Sequence, residues 1–312
     1  MLRRFAFLAV AAVLSIETSQ AQRAASTPRP WTPPHTEWGA PDLQGVWNFA
    51  TLTPLERPRE FADKAVLTAE EATEYERTTD RRQREANSTA GPDWWDPAGR
   101  FLIDRRTSLI VDPSDGRLPP TTPEAQAKAA RNTQLRKQRG ELDGPEDLGL
   151  NVRCIMWATA GPPMLPGVYN NDVQIVQTPA YVVFFNEMIH DVRIVPLDDR
   201  PRGSVPRWMG ESRGRFDGQT LVVDTTNFNG KAPLRGSDER LHLVERFTRT
   251  GADAIAYEFT IDDATVWTRS WTAAFPLRRT DQPMYEYACH EGNAWSMEGL
   301  LREARTSERD RR

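Results

Sequence analysis

From residue 172 onward, apolar and polar positions alternate with a period of two, the repeat of a half-buried strand. Asp172–Gln177 and Tyr181–Asn186 flank the short connection Thr178-Pro179-Ala180, which predicts a hairpin. Met188–Pro196 reads as the next strand. Trp208–Phe216 and Thr220–Thr225 flank Asp217-Gly218, a strong two-residue hairpin signal. Leu241–Thr248 and Ala254–Ile261 flank a glycine-containing turn at 250–252, and Val266–Phe275 and Tyr285–Cys289 close the series. About nine short strands in up-and-down order predict a barrel or a tight sandwich.

The pattern upstream is different. Leu43–Phe49 reads as a first strand. Thr68 with Glu71 three residues later forms a capping box for a helix over Glu70–Ala86, charged nearly all round and therefore superficial. Trp94-Trp95 falls in a loop, and Thr107–Val111 reads as a strand ended by the turn Asp112–Gly116. Thr122 and Pro123 start a second helix to about Arg139, and Asn293–Glu308 reads as a closing helix. The predicted fold is mainly β: an antiparallel up-and-down barrel or tight sandwich with a partly helical N-terminal wrapping and a C-terminal helix. Its expected divisions are a Pro-rich linker at 22–40, the first strand and wrapping at 41–150, the β domain at 151–292, and the helix and tail at 293–312.

The N-terminus changes the expected compartment. Arg3 and Arg4 precede the apolar run Phe5–Ile16, and Ser19-Gln20-Ala21 places small residues at −3 and −1 of a cut after Ala21. Residues 1–21 thus read as a cleavable signal for a periplasmic or secreted protein, with no membrane insertion after cleavage. The hydrophobic fraction of 38% argues against disorder, and 24 prolines argue against a helical bundle. With 40 Lys+Arg against 44 Asp+Glu, the chain lacks the basic excess of a nucleic-acid binder. In an oxidising compartment, the two cysteines Cys154 and Cys289 fit one disulfide, two separate buried thiols being the alternative. A bridge would enclose residues 155–288, for which chain entropy allows about 4–5 kcal/mol.

Strand phase then selects candidate site residues. In Thr265–Phe275, Trp267, Arg269, Trp271 and Phe275 share the buried face, which places Arg269 between two tryptophans, either snorkelling and packing or anchoring an anion or carbonyl. Glu245 shares a face with Leu241, Leu243 and Phe247, so an interior Glu245 and Arg269 would pair or contact a ligand. His190 falls in phase with Met188, Val192 and Ile194, while Glu187, Asp191 and Arg193 take the solvent phase. It reads as a hydrogen-bonded core histidine or as a general acid/base in a dry pocket. His290, next to Cys289, and Tyr285 are its candidate proton partners. Neighbouring strand residues point to opposite faces, so these histidines and acids make no chelate, and no metal is expected. Asp224 either lines a barrel end with Arg207, Trp208 and Arg213 or, the preferred reading, forms an Asx turn at a strand end. The stiff run Gly161–Gly167 leads to Asn171 and either shapes a site or crosses a barrel end. No Gly-x-Ser-x-Gly, His-Glu-x-x-His, phosphate-loop or Rossmann pattern is present, so no cofactor is indicated.

Gly161-Pro162-Pro163-Met164-Leu165-Pro166-Gly167-Val168-Tyr169-Asn170-Asn171, Asn186-Glu187-Met188-Ile189-His190-Asp191 and Tyr285-Glu286-Tyr287-Ala288-Cys289-His290-Glu291-Gly292-Asn293 resemble a broad family of uncharacterised exported bacterial proteins, which supplies no catalytic roles. Gly45-Val46-Trp47 is similar to the first strand of lipocalin-like barrels, and that resemblance implies an interior small-molecule cavity. The expected function is to hold a small organic molecule against Trp267 and Trp271, with Glu245, Asn171 and Met188 also in contact. His190, His290, Arg269 and Tyr285 would transform it by hydrolysis, elimination or isomerisation. The alternative is a carrier or sensor of the cell envelope without chemistry.

Overall fold

A computed structural model describes residues 31–87, 102, 104–138, 147–167, 169–232 and 234–310. The expected signal, residues 22–30 of the Pro-rich linker and Trp94-Trp95 lie outside the described residues. Residues 33–312 form one compact unit, and everything below concerns it.

The unit is mainly β, with ten strands among the described residues: β1 (Gly45–Asn48), β2 (Ile110–Asp112), β3 (Asp172–Gln177), β4 (Tyr181–Asn186), β5 (Val192–Pro196), β6 (Glu211–Asp217), β7 (Thr220–Thr226), β8 (His242–Gly251), β9 (Ala254–Asp262) and β10 (Trp271–Arg279). The sheet runs β5-β4-β3-β1-β10-β9-β8-β7-β6, and β2 adds to β10. Read round the barrel, β1, β3, β4 and β5 follow chain order. So do β6 to β10, and β10 returns to β1. This is the expected antiparallel, up-and-down barrel, nearly closed.

Strand parity makes the two strands at the open seam parallel. All neighbouring pairs in the nine-membered path are antiparallel. An odd number of alternating strands leaves the two ends, β5 and β6, pointing the same way. A two-residue hairpin cannot join such strands, and residues 197–210 make the crossing instead. Side chains close this seam. A Cβ on Gly214 would stand 2.8 Å from Val195 Cγ1 and 2.9 Å from Leu197 Cδ2, so β6 can approach β5 only because residue 214 has no side chain.

Buried aromatic and aliphatic side chains pack inside the barrel. Phe184, Phe247 and Tyr257 stack with centroids 4.8 Å apart, and Tyr257 meets Phe275 edge-on at 5.1 Å. Phe259, Trp271 and Trp267 continue the series with edge-on contacts at 5.7 and 6.1 Å. Met164, from the loop before β3, is fully buried in the same cluster, and its amide donates to the Tyr257 hydroxyl at 3.1 Å. The Gly161–Gly167 run therefore closes a barrel end. Gly161 has φ +94°, and a Cβ there would meet the backbone of Pro163 and Met164 at 2.7–2.9 Å. Among the described residues, this aromatic cluster lies inside the barrel.

Helix α1 (Ala69–Asn87) opens with the predicted capping box: Thr68 N donates to Glu71 Oε2 at 3.0 Å and Glu71 N to Thr68 Oγ1 at 3.1 Å. Helix α2 (Pro123–Gln138) is capped by Thr122, whose Oγ1 accepts from Ala125 N at 3.1 Å, and it buries none of its residues. Helix α3 spans Cys289–Asp310 and starts four residues before the expected position. The disulfide Cys154–Cys289 ties its first residue to the loop before β3, with Cα atoms 5.9 Å apart.

Three strand assignments are corrected. Met188–Pro196 is not continuous: Met188–His190 is a 3-10 turn in which Ile189 and His190 have φ 58° and 47°, and β5 starts only at Val192. The turn inverts the expected phase. Arg193 and Val195 are buried, whereas Val192 and Ile194 are 48% and 59% exposed. Thr265–Phe275 is likewise broken. The amides of Val266 and Trp267 bond the Asp263 carbonyl in a turn, and β10 begins at Trp271. Tyr285–Cys289 is an extended strap running into α3 rather than a strand.

Candidate functional site

One row of side chains crosses the outer face of the sheet at the ends of β1, β3 and β4. Alternation turns Trp47, Val173 and Asn186 inward and Asn48 and Asp172 outward. Glu187, just past β4 with helical backbone geometry, is buried and lines the cleft beside Asp172. Asn48 is the ladder partner of Asp172, and its Nδ2 donates to Asp172 Oδ1 at 2.7 Å. Glu187 follows the last β4 rung opposite Val173, and its amide bonds the Asp172 carbonyl at 2.9 Å. The two carboxylates thus flank one rung.

The strap at 282–289 lies over this row. Tyr285 N donates to Glu187 Oε1 at 3.0 Å, and the His190 ring donates from Nδ1 to the Tyr287 carbonyl at 3.0 Å. That bond requires a proton on Nδ1. The disulfide holds the strap's end, and Asn293 Nδ2 bonds the Val152 carbonyl just beyond it. Between strap, sheet and the loop before β3 is a cleft of ≈ 1240 Å³. Its walls include Trp157, Tyr169 and Tyr287. Trp157 stands edge-on to Tyr169 at 6.1 Å and to Tyr287 at 6.2 Å, and the two tyrosine side chains hydrogen-bond. Tyr285 and Trp295 form an exposed aromatic rim. Asn151 and Trp157 also line a smaller, apolar cavity of ≈ 380 Å³.

Burial sets the electrostatics. It raises the Asp172 carboxyl against the opposing Asn48 hydrogen bond. It raises Glu187 as well, with the Asp172 charge adding to the shift. The Tyr169 hydroxyl is pushed up to about 12 by burial and by Tyr287. Asp191, beside the cleft in sequence, is raised to about 6 by burial against the influence of His190, and its Oδ2 is buried without a hydrogen-bond partner.

The expected site residues are dispersed. Tyr285 and Asn171 line the cleft. Asn171 is buried and pins the end of the loop, accepting from Gly167 N at 2.7 Å and donating to Gly167 O at 3.0 Å. His190 is exposed and meets the strap, and His290 is exposed on the first turn of α3. Met188, Trp267 and Trp271 are core residues that do not line this cleft. Arg269 is not interior: it is 53% exposed and donates to both Asp112 carboxylate oxygens at 2.8 and 2.6 Å. Glu245 is interior, but its partner is Arg193, which donates to both carboxylate oxygens while Tyr257 donates to Oε1 at 2.7 Å. Among the described residues, no group of three or more His, Cys, Asp and Glu side chains could hold a metal.

Strand phase missed two groupings. Asp172 and Glu187 become neighbours only through the β3–β4 register. Asp224 is not an Asx turn. It sits within β7, accepts from His242 Nε2 at 2.6 Å and pairs with Arg202. Burial raises its carboxyl, but these two donors outweigh it and hold the carboxyl below its usual value.

No family model, curated protein or solved structure matches the chain.

Proposed function

We propose that this chain is an exported small-molecule-binding protein whose site is the outer cleft over Asp172 and Glu187. The observation that carries this reading is a contrast. The barrel interior holds a packed aromatic cluster, whereas the cleft of ≈ 1240 Å³ offers aromatic walls, amide groups and two carboxyls, the buried Glu187 and the half-buried Asp172. Such a concave, aromatic-lined space with a few convergent polar groups is the usual form of a ligand site. Export is supported by the disulfide, which fits an oxidising compartment. Among the described residues, no helix is long and apolar enough to cross a membrane. The role is that of a carrier or sensor in the cell envelope.

A catalytic reading keeps one specific support. Two adjacent carboxyls raised by burial are suited to hold or release a proton, and His190 touches the strap above them. The test of binding is mass spectrometry of the protein from its native envelope, under native and denaturing conditions. A non-covalent small mass released on denaturation supports the reading. Mass-homogeneous, ligand-free protein that also binds nothing from the host's small-molecule extract contradicts it. Turnover of that ligand, abolished by Glu187→Gln or His190→Ala, would establish the catalytic reading.

A further inference from the structure

The cleft has an unbalanced charge. Asp172 and Glu187 stand on its floor and Glu286 on its strap, while no Lys, Arg or His is found among its described lining residues. The two floor carboxylates meet dipoles rather than cations: the Asn48 amide for Asp172 and the Tyr285 amide for Glu187. Nearby cations lie outside the cleft lining. Arg193 is bound to Glu245 inside the barrel. Arg278, the ladder partner of Asn48 on β10, shares the outer face with Asp172 but stands one strand further away. His190 directs its Nδ1 to the Tyr287 carbonyl. Burying carboxylates without a countercharge is costly, and a bound cation removes that cost.

The walls favour the same kind of occupant. Trp157, Tyr169 and Tyr287 all line the cleft, with Trp157 at 67° to the Tyr169 ring and 69° to the Tyr287 ring. Ring faces carry the negative part of the aromatic quadrupole and attract alkylated ammonium groups. At the rim, Trp295 is 76% exposed and Tyr285 69%.

We propose that the cleft selects an organic ammonium ion, with its alkylated nitrogen against Trp157, Tyr169 and Tyr287 and its charge balanced by Asp172 and Glu187. This rests on the reading of the cleft as a small-molecule site. It adds the ligand class: cationic and alkylated, with anions repelled.

The test uses the full, disulfide-bonded protein with two probes of equal shape, choline and its uncharged carbon isostere 3,3-dimethyl-1-butanol. Tryptophan emission and titration calorimetry at pH 7.5 report binding. Choline is expected to bind at least roughly tenfold tighter than the alcohol. Asp172→Asn and Glu187→Gln each keep an acceptor oxygen for Asn48 and Tyr285, so the fold is retained while the preference for charge falls. The double variant should bind both probes equally. Glu258→Gln, on an exposed ion pair with Arg246, is the control and should retain the preference. Equal affinity of the wild type for both probes, binding of neither, or a preference that survives the double variant would overturn the inference. A neutral or anionic mass co-purifying in the cleft would overturn the ligand class while leaving the cleft as a binding site.

Discussion

Arg193 on β5 grips Glu245 on β8 through both of its terminal nitrogens, inside the barrel and across the seam that no backbone ladder closes. Arg193 also lies over the Phe184 ring at 4.7 Å, and Tyr257 links Glu245 to the Met164 amide. The pair therefore joins the open edge, the far wall and the end-closing loop. Removing one partner leaves a charge with no solvent. Arg193→Met or Glu245→Leu should each lower stability by about 3–5 kcal/mol. The double substitution should cost less than either single one, and a double-mutant cycle in urea measures the difference.

At the seam itself, Gly214→Ala introduces a methyl within 2.8–2.9 Å of Val195 and Leu197. Overpacking there should destabilise by about 1–3 kcal/mol. Gly299→Ala, in α3 with nothing within 4 Å, should be neutral or stabilising by up to about 1 kcal/mol. Thermal melts of the two variants separate close approach from a general intolerance of side chains.

Asp191 predicts a pH effect of definite sign. Its folded-state carboxyl is raised from 3.8 to about 6, chiefly by burial. The folded protein therefore favours the protonated form. The stability from this preference is full below the unfolded value and is lost as pH rises through about 6. Asp191→Asn should melt higher than the wild type at pH 8, and the gap should shrink towards pH 4. A gap that widens on acidification would contradict the assignment.

The bridge Cys154–Cys289 holds the end of the strap that covers Asp172 and Glu187. Its loss should cost up to about 4–5 kcal/mol by chain entropy. It should also loosen the strap before global unfolding. Hydrogen exchange of the Tyr285 and Tyr287 region, with and without reductant, checks this. Faster exchange there under reducing conditions, with β8 and β9 unchanged, is the expected result.

How much was legible in the residues depended on the range of the interactions. Local signals were readable: the Thr68–Glu71 capping box, the Thr122 cap, the Asp217-Gly218 hairpin and the alternation of β3, β4, β8 and β9 all reflect contacts within a few residues. The barrel followed from their count and order. The cysteine pair was readable from compartment and parity, although Tyr285–Cys289 is a strap rather than a strand. The face of β5 was not readable. Arg193 is inside because Glu245 lies 52 residues away in sequence to receive it, and the left-handed Ile189 and His190 reset the phase just before it. Arg269 was misplaced because Asp263 turns the chain before Trp267, so Trp267 and Trp271 do not share one strand. The cleft is not legible in the sequence because Asp172 and Glu187 meet only through strand register, whereas hydrophobic patterns point to the inner face.

The outer cleft, rather than the barrel interior, is the ligand site proposed for this chain. Ligand occupancy by native mass spectrometry, in two variants purified alongside the wild type, distinguishes the two locations. Ala288→Trp fills the cleft at an exposed lining position, and Trp271→Phe enlarges the interior. Ala288→Trp is expected to lose the bound molecule while Trp271→Phe retains it at wild-type occupancy. Full occupancy in Ala288→Trp together with loss in Trp271→Phe would place the site inside the barrel and rule out the cleft.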